Sequence, residues 1–134
     1  MTDLPNRTLL NDRLEQAIAE AGRRNGKVAV LYLDIDDLKV INDTRGHDCG
    51  DQLLVEVTRR MTGVQRNEDT VARQGGDEFI VALPEVAELM DVREVAQKLL
   101  DVLVMPYLIR GCRLNTTASI GISLFLRTVL MRKR

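Results

Sequence analysis

Two glycines and two acids stand together in the stretch RQGGDEFIVAL, at a corner between two apolar runs. Adjacent glycines let a backbone turn sharply and come close to a ligand, because no Cβ atoms are in the way. Carboxylates are hard oxygen ligands of the kind that Mg²⁺ and Mn²⁺ prefer. The corner formed by Gly75, Gly76, Asp77 and Glu78 is therefore either an ordinary hairpin turn or part of a site for an anionic, metal-bound ligand.

Two more acids, Asp34 and Asp36, close the β-rich run KVAVLYLDID. Residues two apart in a strand place their side chains on the same face. If the hairpin around the glycine corner pairs beside this strand, three or four carboxylates converge at one end of the sheet, and a divalent cation would offset their repulsion. Acids are also common at strand ends and turns for structural reasons, so both interpretations stay open.

Polar residues between the strand and the hairpin form a second group. Asn42 and Asp51 offer an amide and a carboxylate, which together can read the edge of a guanine base. Asn42 could equally be a helix C-cap, and Asp51 a partner of the helix dipole in a first turn. Lys39 could neutralise a phosphate or simply lie in solvent, whereas His47 and Cys49 fit structural roles better than catalytic ones.

The composition is that of one ordinary globular domain. The chain has 134 residues, a net charge of −1, 45% apolar residues and 29% charged residues. It lacks the basic field of a protein that binds nucleic acid, and its 3% aromatic content argues against a base-stacking platform. No signal peptide or membrane-spanning run is recognisable, and two cysteines without CxxC spacing favour a reduced, cytosolic compartment.

Hydrophobic periodicity predicts helices and strands around these residues. The predicted elements are a helix over 9–24, a buried strand over 27–36, a short helix over 38–42, an amphipathic helix around 53–61, two strands within 69–83, a helix over 86–104, and a short and a longer strand on either side of Gly111. In the core of this order, two strand–helix–strand units interlock as in the split βαβ arrangement of ferredoxin-like sheets. The sequence therefore predicts an α+β sandwich, with a mainly antiparallel central sheet flanked by helices.

Several segments together resemble one family. LDIDDLKVINDTRGHDCGDQLL followed by ARQGGDEFIVAL closely resembles the GGDEF family of diguanylate cyclases, TDLPNRTLLNDRL is similar to its N-terminal signature, and TASIGIS is similar to its late strand. The resemblance covers about residues 2–123. It implies a nucleotidyl-cyclase-type fold and the condensation of two GTP molecules to cyclic di-GMP, with loss of two pyrophosphates, in a two-fold dimer that holds one GTP per subunit.

The resemblance also implies roles for individual residues. Asp34, Asp77 and the backbone carbonyl of Ile35 would hold Mg²⁺ or Mn²⁺, and Glu78 would activate the 3′-hydroxyl or hold a second metal. The implied substrate-binding positions are Asn42 and Asp51 for guanine, Lys39 for phosphate, Leu38 in place of the family's usual phenylalanine, and Gly75 and Gly76 beside the nucleotide.

A further motif, RNED, is similar to the family's RxxD inhibitory site. There Arg66 would contact guanine and phosphate of the product, and Asp69 a guanine edge. Without the resemblance, Arg-x-x-Asp is a common surface pair. The resemblance thus implies product feedback just upstream of the glycine corner.

The end of the sequence departs from the family pattern. After SIGIS the family continues through a proline turn, a helix whose lysine and arginine grip the triphosphate, and a final strand, whereas this sequence reads LFLRTVLMRKR. We therefore expect a single domain over 1–134 that is truncated, with a divergent segment over 124–134. Exposed apolar sheet surface and weakened GTP affinity would follow.

Two functions stay open, beside the possibility that this sequence is a scaffold fragment that has neither. The first is a diguanylate cyclase. The second is a catalytically inactive GGDEF module that binds GTP or cyclic di-GMP and regulates a partner domain such as a phosphodiesterase. In either case we expect a parent protein with sensor or phosphodiesterase domains, which could be attached to a membrane with this domain in the cytoplasm.

Overall fold

The structure is a computed structural model that describes residues 9, 11–16, 19, 27–66, 69–86 and 88–126. Its elements in chain order are β1 (Lys27–Ile35), α1 (Leu38–Arg45), α2 (His47–Val64), β2 (Thr70–Gly75), β3 (Glu78–Val86), α3 (Leu89–Leu103), β4 (Tyr107–Ile109), β5 (Cys112–Leu114) and β6 (Ala118–Leu126). No helix among these residues is long and apolar enough to span a bilayer. Residues 9, 11–16 and 19 are helical as predicted, whereas the other positions of that predicted helix, and residues 127–134 of the divergent segment, lie outside the described residues.

The central sheet has the strand order β2-β3-β1-β6, and every neighbouring pair is antiparallel. β3 lies between β1 and β2, which are therefore parallel to one another but not adjacent. This is the split βαβ arrangement, and it confirms the predicted α+β architecture. β4 and β5 form a separate two-stranded sheet.

The central strand β1 is buried on both faces at its start and exposed on one face at its end. Leu31 and Leu33 belong to the large apolar cluster that also contains residues of α2 and α3. Val30, on the other face, packs with apolar residues of β2 and β3. Further along that second face, Tyr32 is 48% exposed and Asp34 is exposed. The end of β1 thus places the Asp34 carboxylate in solvent, outside the core.

The helix predicted over 86–104 begins three residues later than expected. Val86 is the last residue of β3 and pairs with Lys27, so sheet pairing takes precedence over helical periodicity there. A capping box then starts α3, in which Asp91 accepts a hydrogen bond from the backbone N–H of Glu88 at 3.2 Å.

The long strand predicted after Gly111 is two strands, so this prediction was wrong. β5 ends at Leu114, and the chain reaches the central sheet only at Ala118. Between them, the backbone N–H of Asp36 donates to the carbonyl of Thr117 at 2.9 Å, and the Thr116 hydroxyl donates to the carbonyl of Asp36. These bonds to the end of β1 redirect the chain.

Arg60 of α2 holds the end of α3 in place. Its guanidinium donates to the carbonyl oxygens of Val102, Met105 and Pro106 at 2.9, 2.7 and 2.7 Å, and it lies 3.7 Å from the centre of the Tyr107 ring. Tyr107 is buried, and burial raises its pKa although Arg60 acts in the opposite direction. Since carbonyl groups at a helix C-terminus have no partners within the helix, a cation satisfies them and complements the helix dipole.

We predict that Arg60→Ala lowers the free energy of unfolding by about 2–3 kcal/mol, because it leaves several carbonyl groups without partners and removes the cation over Tyr107. The neighbouring Arg59 is a matched control. Its side chain is 76% exposed and pairs with Glu56 at the surface, so Arg59→Ala should cost below about 0.5 kcal/mol. Urea unfolding of both variants measures these losses. Equal losses of unfolding free energy would show that the contacts of Arg60 with the end of α3 and with Tyr107 contribute no more than an exposed ion pair.

Candidate functional site

The glycine corner is a tight turn whose shape depends on glycine and on an arginine. Gly76 has φ +46°, in the left-handed region that side chains rarely adopt. Arg73 donates from Nε and Nη2 to the Gly76 carbonyl at 3.0 and 2.9 Å, which fastens the turn from the end of β2. Arg73 was missed in the sequence analysis, although its position three residues before Gly76 in the same motif was the available signal.

The hairpin pairs beside β1, as the convergence of acids requires. Asp34 lies directly opposite Glu78 in the antiparallel register, and the backbone N–H of Ile35 donates to the carbonyl of Asp77 at 3.0 Å. Residues directly opposite in such a pair project to the same face, with Cβ atoms about 5 Å apart. Asp34 and Glu78 therefore share the exposed face of the sheet, where they line a shallow depression with Tyr32.

Asp36 does not join these two carboxylates. Its side chain accepts hydrogen bonds from the hydroxyls of Thr117 at 2.6 Å and Ser119 at 3.2 Å, both on the β6 side of β1. Asp36 therefore fixes the end of β1 to the start of β6. The sequence alone left the role of Asp36 open.

The donor atoms at this corner suit Mg²⁺ or Mn²⁺, but they do not form a closed cage. The opposed carboxylates, the neighbouring Asp77 and the carbonyl of Ile35 are all hard oxygen donors. Within the described part of the chain, no three His, Cys, Asp or Glu side chains come together closely enough to hold a metal ion. This open set fits Mg²⁺, which usually takes one or two carboxylates and completes its shell with water and substrate phosphates.

The expected nucleotide-binding residues lie on α1 and α2. Asn42 is inside α1 and half-buried, and Gly46 ends the helix, so the C-cap interpretation of Asn42 was wrong. Asp51 is the fifth residue of α2 and exposed, one position beyond the first turn, which holds Asp48. The carboxamide of Asn42 lies against Gly50, next to Asp51 in the chain. The fold thus places the Asn42 amide on the helix that carries Asp51, against the residue that precedes it.

The remaining expected residues occupy distinct places. Lys39 is exposed on α1. Leu38 is 6% exposed and belongs to the core, so only its backbone could reach a substrate. His47 is exposed at the first position of α2, and Cys49 is buried, as an inert thiol should be.

Arg66 and Asp69 bind each other. The backbone N–H, Nε and Nη2 of Arg66 donate to the Asp69 carboxylate at 3.0, 3.3 and 3.0 Å. The Arg66 side chain is 49% exposed and that of Asp69 only 1%. Arg66 also lines a pocket between β3 and α3, together with Lys98 and the last residue of β3, Val86. Val86 is eight residues from Glu78 along the strand, so this pocket is about 25 Å from the glycine corner.

Known proteins match this chain over almost its entire length. A family model described as "Diguanylate cyclase, GGDEF domain" matches residues 1–129. The chain is 46% identical over 125 residues to the bifunctional diguanylate cyclase/cyclic di-GMP phosphodiesterase MucR of Pseudomonas aeruginosa. That match covers 93% of this chain and 18% of MucR, so the chain spans less than a fifth of that relative's length.

Solved structures agree with these sequence matches. The GGDEF domain of TpbB from Pseudomonas aeruginosa is similar with a TM-score of 0.92 and 36% identity, over 98% of this chain and 86% of that one. The GGDEF domain of DgcB from Caulobacter crescentus, solved in complex with c-di-GMP, has a TM-score of 0.85 and 28% identity, over 98% of this chain and 81% of that one.

We predict that the opposed carboxylates destabilise the metal-free protein. Like charges directly opposite in a sheet repel, so Asp34→Asn should raise the free energy of unfolding in EDTA by about 0.5 kcal/mol. We expect Mg²⁺ to raise the melting temperature of the wild type, since a ligand bound only by the native state stabilises it, and we expect Asp34→Asn to lose this rise. Thermal unfolding with and without Mg²⁺ tests both effects, with Asp43→Asn on the exposed surface of α1 as the control. A variant that responds to Mg²⁺ like the wild type would remove Asp34 from the site.

Proposed function

The chain belongs to the GGDEF family of diguanylate cyclases, and from that premise we propose that it condenses two GTP molecules to cyclic di-GMP with release of two pyrophosphates. The observation that carries this proposal is the pairing of Asp34 with Glu78 beside the glycine turn. It puts two carboxylates on an open face of the sheet, next to Gly75 and Gly76. These glycines have no side chains that would keep a triphosphate away from the backbone.

In the proposed reaction, the 3′-oxygen of one GTP forms a bond to the α-phosphorus of the other. The bond from that phosphorus to the bridging oxygen breaks, and pyrophosphate leaves with the electron pair. Glu78 is exposed at the corner and accepts the proton of the attacking hydroxyl. Repeating the step with the roles of the nucleotides exchanged closes the ring.

The other residues bind and orient the nucleotide. Asp34, Asp77 and the carbonyl of Ile35 would hold Mg²⁺ or Mn²⁺, which when bound neutralises triphosphate charge and lowers the pKa of the attacking hydroxyl. Gly75 and Gly76 leave room for the phosphates. Lys39 adds a positive charge from α1, and Asn42 with Asp51 reads the guanine edge.

Catalysis requires two copies of the chain. Cyclic di-GMP is itself two-fold symmetric, and each 3′-hydroxyl attacks the other nucleotide. One subunit with one exposed GTP site supplies only half of the reacting groups, so we propose a two-fold dimer with the glycine corners facing each other.

Arg66 is proposed to bind the product at a separate site. Its guanidinium is half exposed and can contact phosphate and guanine, whereas buried Asp69 contacts a guanine edge only if its bonds to Arg66 open. The complex of the DgcB domain with c-di-GMP supports recognition of this ligand by a similar fold. Binding about 25 Å from the corner would act as feedback on the enzyme.

A second candidate is a regulatory module without turnover. The Arg66–Asp69 pair favours it, because a site for cyclic di-GMP would serve regulation without turnover. MucR is a bifunctional diguanylate cyclase and cyclic di-GMP phosphodiesterase, so both activities occur in one protein. A GGDEF domain in a longer protein could therefore control a phosphodiesterase domain of the same chain. Product formation from GTP separates the two candidates.

We predict that Asp77→Ala reduces cyclic di-GMP formation at least about 100-fold, because a charged ligand of the phosphate-bound cation is lost. The assay is incubation of the purified chain with GTP and Mg²⁺, followed by chromatography of the nucleotides. Asp101→Ala, on the exposed side of α3, is the control and should retain activity. Turnover retained in a folded Asp77→Ala variant would contradict the assignment of Asp77.

We predict that Arg66→Ala weakens binding of cyclic di-GMP at least tenfold, about 1.4 kcal/mol, because charge-assisted bonds to the product are lost. The affinity for GTP should stay unchanged, because the proposed GTP site at the glycine corner does not include Arg66. Calorimetric titration with each nucleotide measures both values. Arg59→Ala removes an exposed arginine of α2 and should change neither. Unchanged product affinity in Arg66→Ala would make the Arg66–Asp69 pair purely structural.

A further inference from the structure

Gly50 is the fourth residue of α2, within the hydrogen-bonded part of the helix, where glycine is less favourable than alanine. The residue is buried, its φ is not positive, and its N–H donates to the carbonyl of Gly46 at 3.2 Å. The helical backbone conformation of Gly50 therefore does not require glycine. A glycine within a helix is less stable than alanine, because it loses more backbone freedom on folding. Its presence calls for a packing or functional reason.

The reason is the carboxamide of Asn42. A Cβ atom added to Gly50 would overlap Oδ1 of Asn42 and lie 2.9 Å from its Cγ, and these side-chain atoms are the nearest neighbours of that position. The space that an alanine methyl group would take is thus already occupied by the end of the Asn42 side chain. Real Cβ atoms essentially never approach other atoms so closely, so alanine at 50 must displace the carboxamide.

The contact places the Asn42 carboxamide on α2, against the residue that precedes Asp51. Gly50 and Asp51 are consecutive in the helix, so the amide lies on the same stretch of backbone that carries the Asp51 carboxylate. No hydrogen bond to the Asn42 carboxamide occurs among the residues that the structure describes. Its orientation therefore depends on close packing against the bare backbone of α2.

We propose that Gly50 is a positioning residue that sets base specificity by holding Asn42 beside Asp51. The proposal rests on the proposed function, in which these two side chains read guanine. Gly50 itself need not touch the nucleotide. Its contribution is the missing methyl group, which lets the amide of one helix and the carboxylate of the next converge on one base.

The test compares Gly50→Ala with Asn42→Ala, with the double variant of both positions and with Gly63→Ala, all in the full chain. Asn42→Ala removes the positioned group. Gly63→Ala is the matched control, because Gly63 lies in the same helix and a Cβ atom there would meet nothing within 4 Å. Binding of the α,β-methylene analogues of GTP and ATP is measured by calorimetry, since these analogues cannot release pyrophosphate. The side-chain amide signals of Asn42 are followed by NMR in the nucleotide-free protein.

We expect Gly50→Ala to remain folded, to shift the Asn42 amide signals and to lose at least about tenfold in affinity for the GTP analogue. Its preference for guanine over adenine should fall to that of Asn42→Ala. The double variant should be no worse than Asn42→Ala alone, because both changes act through one group. Gly63→Ala should leave the Asn42 signals and both affinities unchanged.

Two results would overturn the positioning role: Asn42 signals that stay in place in Gly50→Ala, or signals that move while guanine preference is kept. A wild-type chain that binds both analogues equally would instead overturn guanine recognition, and with it the part of Gly50 in specificity. Because the NMR measurement needs no nucleotide, it shows which of the two ideas failed.

Discussion

The antiparallel register between β1 and β3 is the constraint on which the site depends. It sets Asp34 opposite Glu78 and joins the backbone of Ile35 to that of Asp77. Because the side-chain period of a strand is two residues, a slip of one residue would turn Glu78 toward the apolar cluster under the helices. The buried alternation of β3 makes such a slip costly, since Phe79 and Val81 would then leave the apolar cluster and face the opposite side. The hydrophobic core therefore fixes the position of two charged residues that lie outside it.

The same strand explains why the site is open on one face. At the start of β1 both faces are covered, and at its end only the helix face is. Hydroxyls at the start of β6 satisfy Asp36, and Arg73 fastens the turn from the other side. These neutral or cationic partners hold the end of β1 and the glycine turn in place, while Asp34 and Glu78 remain available on the exposed face. A substrate that brings its own cation would complete the arrangement.

The second half of the site is built by the junction of two helices. α1 ends at Arg45, and after Gly46 the chain enters α2 at His47, so the helices pack against each other at close range. Gly50 lets the Asn42 side chain fill the space between them. Arg60, further along α2, binds the end of α3 and thereby keeps α2 in place over the sheet. The proposed reading of a base by Asp51 of α2 would therefore depend in part on the contact between Arg60 and the end of α3.

The sequence by itself determined the fold class, the acids and glycines of the corner, and the residues resembling a nucleotide site. Those features are local: apolar periodicity, turn residues and motif spacing are all readable along the chain. Only the tertiary structure decided that Asp36 is tied to β6 and that Gly50 makes room for Asn42. It also decided that the segment after Gly111 breaks into β5 and β6, because Asp36 binds the chain between them. Asp36 meets its partners from 80 residues away or more, and contacts of this kind, like a contact between two helices, leave no periodicity in the sequence.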